Sequence, residues 1–119
     1  MYHLFYFLQM SIPTYFVQYA ADGTIYYMEV KGDTLELLQN LVGGYIQEVP
    51  APRTLRREWR EGFEVALWAD EEGSFKYGKC NAFFKDIFGD TVLSLVNEDG
   101  ESCGFTLAEI SKFPVPYKM

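Results

Sequence analysis

Residues 35–50 read LELLQNLVGGYIQEVP, a helical apolar pattern that stops at two glycines and passes without a linker into an extended apolar segment. Asp33 stands where an N-cap belongs, with Glu36 three residues on in capping-box position. Leu35, Leu38, Leu41 and Val42 share one helical face. Gly43 suits the left-handed position that ends a helix, and Tyr45 to Val49 then reads as a strand closed by Pro50 and Pro52. A dinucleotide-binding glycine loop precedes its helix, whereas Gly43-Gly44 follows one. The glycines therefore read as architecture.

Around this centre the chain divides into short elements. Thr14 to Ala20 and Thr24 to Val30 are rich in aromatic and β-branched residues, and Asp22-Gly23 between them predicts a hairpin with a type I′ turn. Thr54 is a candidate cap for a two-turn helix over residues 53–61, with Leu55 and Trp59 inward and Arg56, Arg57 and Arg60 toward water. Phe63 to Ala69 reads as a strand, Asp70 to Gly73 as a turn, and Ser74 to Tyr77 as a returning hairpin partner. Asn81 is a candidate cap for a helix running to Phe88. Thr91 to Val96 is the strongest strand of the C-terminal half, and Asn97 to Gly100 a polar turn. Thr106 and Glu109 form a capping box on a last short helix stopped by Pro114. The expected fold class is α+β: one small domain, a mostly antiparallel sheet of about four to five strands and about three to four short helices. The domain spans residues 13–113, preceded by an extension or extra edge strand at 1–12 and followed by a tail at 114–119.

Charge is unevenly spread. The chain carries −7 overall, yet residues 53–60 hold four arginines and one glutamate. An acidic surface repels nucleic-acid phosphates, so direct nucleic-acid binding is not expected. No run of about 20 apolar residues occurs, so no membrane span is expected. MYHLFYFLQM at the start has neither a basic flank nor a small-residue cleavage site and is a poor signal peptide. It reads as an added strand or as an upstream extension with Met10 as an alternative start. Cys80 and Cys103 read by default as buried free thiols in a reducing compartment, with one disulfide as the alternative.

No catalytic constellation stands out. The single histidine is His3, outside the expected domain, and no Walker loop, Gly-x-Ser-x-Gly elbow or HExxH helix occurs. Asp70, Glu71 and Glu72 cluster on a turn but lack EF-hand spacing, so a solvated turn outweighs a metal site. No cofactor is implied. Arg53, Arg56, Arg57 and Arg60 are candidates for holding a carboxylate or phosphate, against the alternative of pairing with the chain's own acids. Aromatic residues make up 18% of the chain, more than a small core readily absorbs. The candidate interface aromatics are Tyr15, Phe16, Tyr19, Tyr26 and Tyr27 on the first hairpin and Trp59 beside the arginines, against the alternative of a large aromatic core covered by helices.

Several runs now fall into order: Ala21-Asp22-Gly23-Thr24, residues 34–49, WADEEGSFKYGKCNA, IFGDTVLSL and FTLAEISKF. In this order they resemble the family known as domain of unknown function 3846, small proteins of bacteria, phages, mobile elements and large DNA viruses of algae. The resemblance covers roughly residues 13–113, and the Leu-Val-Gly-Gly-Tyr-Ile run is its most specific part. It departs at both ends and at the basic 53–60 loop. It implies a setting, a virus or mobile element acting inside a cell, and no activity.

The functional expectation is a non-enzymatic protein-interaction module, an accessory protein in the cytoplasm of the host. A protein partner is expected, and self-association would reconcile the aromatic content with solubility. A phosphate- or nucleotide-sequestering protein is the first alternative. An acidic DNA mimic is the second.

Overall fold

The computed structural model describes residues 12–114 and Tyr117; the expected extension or edge strand at 1–12 falls, but for Ile12, outside them. The class is α+β as the sequence implies. Strands β1 (Tyr15–Tyr19), β2 (Ile25–Glu29), β3 (Ile46–Val49), β4 (Glu64–Asp70), β5 (Thr91–Val96) and β6 (Ser102–Cys103) form one sheet. Its order is β2-β1-β5-β4-β3, every pairing is antiparallel, and β6 pairs with the far end of β5. The helices are α1 (Thr34–Val42), α2 (Gly73–Lys76) and α3 (Leu107–Ile110).

The sheet is buried on both faces at its centre, which is why β5 reads TVLSLV without alternation. On one face α1 sets Leu38 and Val42 against Phe16 and Val92, with Ile46 and Trp68 at the margin. On the other face Val17, Tyr19, Leu67, Leu93 and Leu95 meet Leu55, Phe84, Phe105, Ile110 and Phe113, contributed by loops and by α3. Ser94, buried on the α1 side, is satisfied by the Trp68 indole N–H at 2.9 Å.

Local signals hold where they were strongest. The Asp33 carboxylate accepts the Glu36 amide at 3.0 Å, and Gly43 ends α1 in the left-handed region at φ 86. The Thr106–Glu109 capping box is complete in both directions. Leu35 is the exception in α1: it is 53% exposed, because the layer is anchored by Leu38 and Val42 nearer the helix end. The first hairpin forms, but its turn differs from expectation. The Gly23 amide closes onto the Ala20 carbonyl at 3.0 Å and Gly23 alone is left-handed, so the turn is not type I′.

Three expected elements are replaced. Residues 53–61 make turns and no helix, since the Leu55 carbonyl that would anchor a helical turn accepts the Arg57 amide (3.0 Å) and the Trp59 indole N–H (2.9 Å). Leu55 and Trp59 nevertheless point inward as their spacing suggested. In place of the strand expected at 74–77 stands the short helix α2 (Gly73–Lys76), because the Lys76 and Tyr77 amides turn back to Glu72 and Gly73. Residues 82–88 form an irregular loop with Asp86 at φ 67. Neighbouring Phe83 and Phe84 both meet the Tyr19 ring edge-on, at 5.3 and 5.2 Å. Consecutive helical residues diverge by about 100° and would not reach one ring together. From the tail, Tyr117 packs against Phe84 and Tyr19.

Candidate functional site

The end of α1 and the end of β4 meet at one corner. Asp70, the last residue of β4, is buried, and its Oδ2 receives Lys76 Nζ at 2.9 Å and the Tyr77 hydroxyl at 3.4 Å. Its Oδ1 accepts the Glu72 amide at 2.9 Å. Burial works against the charge on Asp70, but the Lys76 and Glu72 hydrogen bonds and the Lys76 charge outweigh it and hold its pKa below the ordinary value. The hydrogen bond to Asp70 correspondingly raises Lys76. Burial, then the Asp70 charge, raises the Tyr77 phenol.

The double glycine explains itself here. A Cβ on Gly44 would lie 2.8 Å from Lys76 Nζ and 2.9 Å from Asp70 Oδ2, so any side chain there would push the ion pair out of its place. Lys76 Nζ also reaches the Gly43 carbonyl at 3.4 Å. Gln39, Asn40, Gly44, Tyr45, Glu72 and Lys76 line a cavity of about 490 Å³ beside the pair. Two aromatic rings stand on the segments that meet there. Tyr45, next to Gly44, is 71% exposed, and Phe75, next to Lys76, is 89% exposed. Sequence reading missed both rings. Phe75 was given to a hairpin strand and Tyr45 to a core strand; the signal available was their position flanking the glycine pair and the acidic turn.

The hairpin aromatics fare differently from expectation. Phe16 and Tyr19 are fully buried, Tyr15 and Tyr27 are half-buried against the core, and Tyr26 is exposed. The two covering layers absorb them, so the hairpin offers no aromatic face. Burial, reinforced by Tyr27 and Tyr117, raises the pKa of the Tyr19 phenol, which stays protonated.

The arginine loop also divides. Arg60 is committed inward: its guanidinium meets both Glu109 oxygens, at 2.6 and 3.2 Å, and the Gly104 carbonyl at 3.3 Å, and lies 4.8 Å over the Phe63 ring. Burial opposes the charge on Glu109, but the Arg60 hydrogen bond and the Thr106 amide lower its pKa overall. Trp59 is half-buried, its ring tilted against that of Phe113 at 4.8 Å, with the Arg57 guanidinium 4.0 Å over it. Arg53, Arg56 and Arg57 are exposed. Arg56 and Arg57 line a cavity of about 380 Å³ with Phe63, but Glu58 and Glu64 line it too.

Asn81 is a brace where a helix cap was expected. Its buried amide donates to the carbonyls of Tyr19 (2.9 Å) and Gly89 (2.8 Å) and accepts the Phe83 amide at 2.8 Å. Asp90 similarly ties the hairpin, accepting the Ala21 amide at 2.8 Å. Cys80 and Cys103 are free thiols, as the default reading had it, but Cys80 is exposed and Cys103 half-buried. Burial raises the Cys103 thiol's pKa.

Among the described residues no three His, Cys, Asp or Glu side chains gather as metal ligands, and no helix is long and apolar enough to cross a membrane. No protein-family model, curated protein or solved structure matches the chain.

Proposed function

We propose that this protein is a non-enzymatic interaction module that docks a protein partner on the corner carrying Tyr45 and Phe75. The observation that carries the reading is the pair of rings, 71% and 89% exposed, on segments held together by the ion pair of buried Asp70 with exposed Lys76. Apolar rings kept in water on a fixed frame are characteristic of interface anchors. The resemblance of the Leu-Val-Gly-Gly-Tyr-Ile run supports placing that role in a virus or mobile element, acting inside the host cell. The test compares partner capture by the wild type and by a Tyr45→Ser/Phe75→Ser variant of unchanged circular dichroism. Burying each ring is worth about 1.5–3 kcal/mol, so the double variant should bind about a hundredfold or more weakly. Equal capture by both proteins would refute the reading.

A phosphate or nucleotide site is the second reading, favoured by the Arg56–Arg57–Phe63 cavity. Glu58 and Glu64 in the same lining oppose it. A thermal shift with nucleotides that disappears in Arg56→Ala would establish it, and no shift with any phosphate-bearing compound would remove it. The exposed Arg53, Arg56 and Arg57 interrupt the acidic surface that a DNA mimic would need.

A further inference from the structure

The interaction reading leaves open what kind of partner the corner receives, and the sheet edge beside it narrows the choice. In the sheet order no strand lies beyond β3 among the described residues. The Tyr45 carbonyl accepts the Glu71 amide at 2.9 Å, so 45/71, 47/69 and 49/67 are the hydrogen-bonded pairs of the β3–β4 ladder. Ile46 and Glu48 occupy the alternate register positions, and their N–H and C=O groups therefore face outward from the sheet.

Both faces of this edge are flanked by recesses. On the α1 face lies the cavity lined by Gln39, Asn40, Tyr45 and Glu72. On the opposite face Gln47, Val49, Glu71, Asp86 and Phe88 line one of about 150 Å³. Side chains of an added strand alternate between the two faces and would enter these recesses in turn. Their charge is one-sided. Glu48, Glu71, Glu72 and Asp86 are exposed acids, and Lys76, the cation that lines the first recess, is already held by Asp70. Pairing β3 with β3 of a second copy would bring these acids toward their own kind, which disfavours self-association at this edge.

We propose that the free edge of β3 takes up an extended basic segment of a partner protein as an added strand, its lysine or arginine side chains meeting Glu48 and Glu72 on one face and Glu71 and Asp86 on the other. This rests on the interaction reading and deepens it. Main-chain bonds to Ile46 and Glu48 supply affinity, and the acids supply selectivity.

The probe is a short capped peptide of alternating lysine and valine, added to the full chain labelled with nitrogen-15. Its control is the same peptide with alternate amides N-methylated, which keeps the charge and removes the strand bonds. The expected result is at least about a tenfold slowing of Ile46 and Glu48 amide exchange with the first peptide and none with the control. Glu48→Pro, whose lost N–H faces outward, should leave the fold intact and abolish binding, whereas Glu48→Gln should weaken it about two- to fivefold. If Glu48→Pro fails to fold, Glu48→Gln and the methylated control decide alone. Unchanged exchange at Ile46 and Glu48, or equal binding of both peptides, overturns the proposal. Partner capture lost in Tyr45→Ser/Phe75→Ser but unaffected by Glu48→Pro would end the strand proposal and leave the interaction reading standing. Capture unaffected by either would end both.

Discussion

Replacing Asn81 with alanine tests whether the 81–89 loop is tied to the sheet through one side chain. The substitution removes two donors and one acceptor at a position 4% exposed. The Tyr19 and Gly89 carbonyls and the Phe83 amide are left without that partner. A buried polar group deprived of its partner costs about 1–3 kcal/mol. The Tyr19 carbonyl loses least: Tyr15 and Phe105 exchange both amide bonds, so 19/91 is likewise a hydrogen-bonded pair of the β1–β5 ladder, and the carbonyl keeps the Thr91 amide with the Thr91 hydroxyl at 3.4 Å besides. Taking nothing for Tyr19, the low end for the Gly89 carbonyl and the middle for the Phe83 amide gives about 3 kcal/mol. With a urea slope of about 2 kcal/mol/M, the middle of the range for a small domain, the midpoint should fall by about 1.5 M. Fluorescence of Trp59 and Trp68 and far-ultraviolet circular dichroism should report one coincident transition. A residue that merely capped a helix would cost about 1 kcal/mol. A midpoint shift under about 0.5 M would therefore refute the brace. Asn81→Asp keeps the acceptor for Phe83 but turns an oxygen on both carbonyls, so near neutral pH it should cost at least as much as alanine.

At the arginine loop, Arg60→Ala should destabilise by about 1–3 kcal/mol, because Glu109 loses its forked partner in a half-buried site, whereas Arg53→Ala should stay within about 0.5 kcal/mol. Urea midpoints of the two variants that coincide would contradict the pairing. The lowered pKa of Asp70 makes its contribution pH-dependent with a defined sign. Its folded value lies below the unfolded one, so the stabilisation is complete above about pH 4–5 and is lost as pH falls through the folded value. Wild type should exceed Asp70→Asn in stability near neutrality, and the gap should close on acidification. A gap that stays constant down to about pH 2 would show that the charge on Asp70 plays no part.

The features legible in the sequence share a short range. Asp33 caps α1 through an amide three residues away, Gly43 ends it, and Thr106 and Glu109 close their box within one turn. Thr91 to Val96 forms the predicted strand to the residue, because an unbroken apolar run suits a strand covered on both faces. Where the local signal was weaker, distant residues took over. Asn81 has ordinary cap chemistry, but Tyr19, 62 positions earlier, claims its amide. Arg60 looked solvent-facing on a helix, but Glu109, 49 positions later, draws it in.

The sequence by itself thus determined the class, the hairpin, the caps of α1 and α3 and the central strands, since each depends on backbone preferences of neighbouring residues. The tertiary structure decided which aromatics are core, which arginine is committed inward, and which glycine makes room for a contact. Gly43 is needed for its own dihedral angles, which a sequence can declare. Gly44 is needed because Asp70 and Lys76 pass within 3 Å of where its side chain would be, and no pattern within the run LVGGYI carries that information. Likewise, the exposure of Tyr45 and Phe75 and the place of β3 at the edge of the described strands follow from how those strands pair across the sheet.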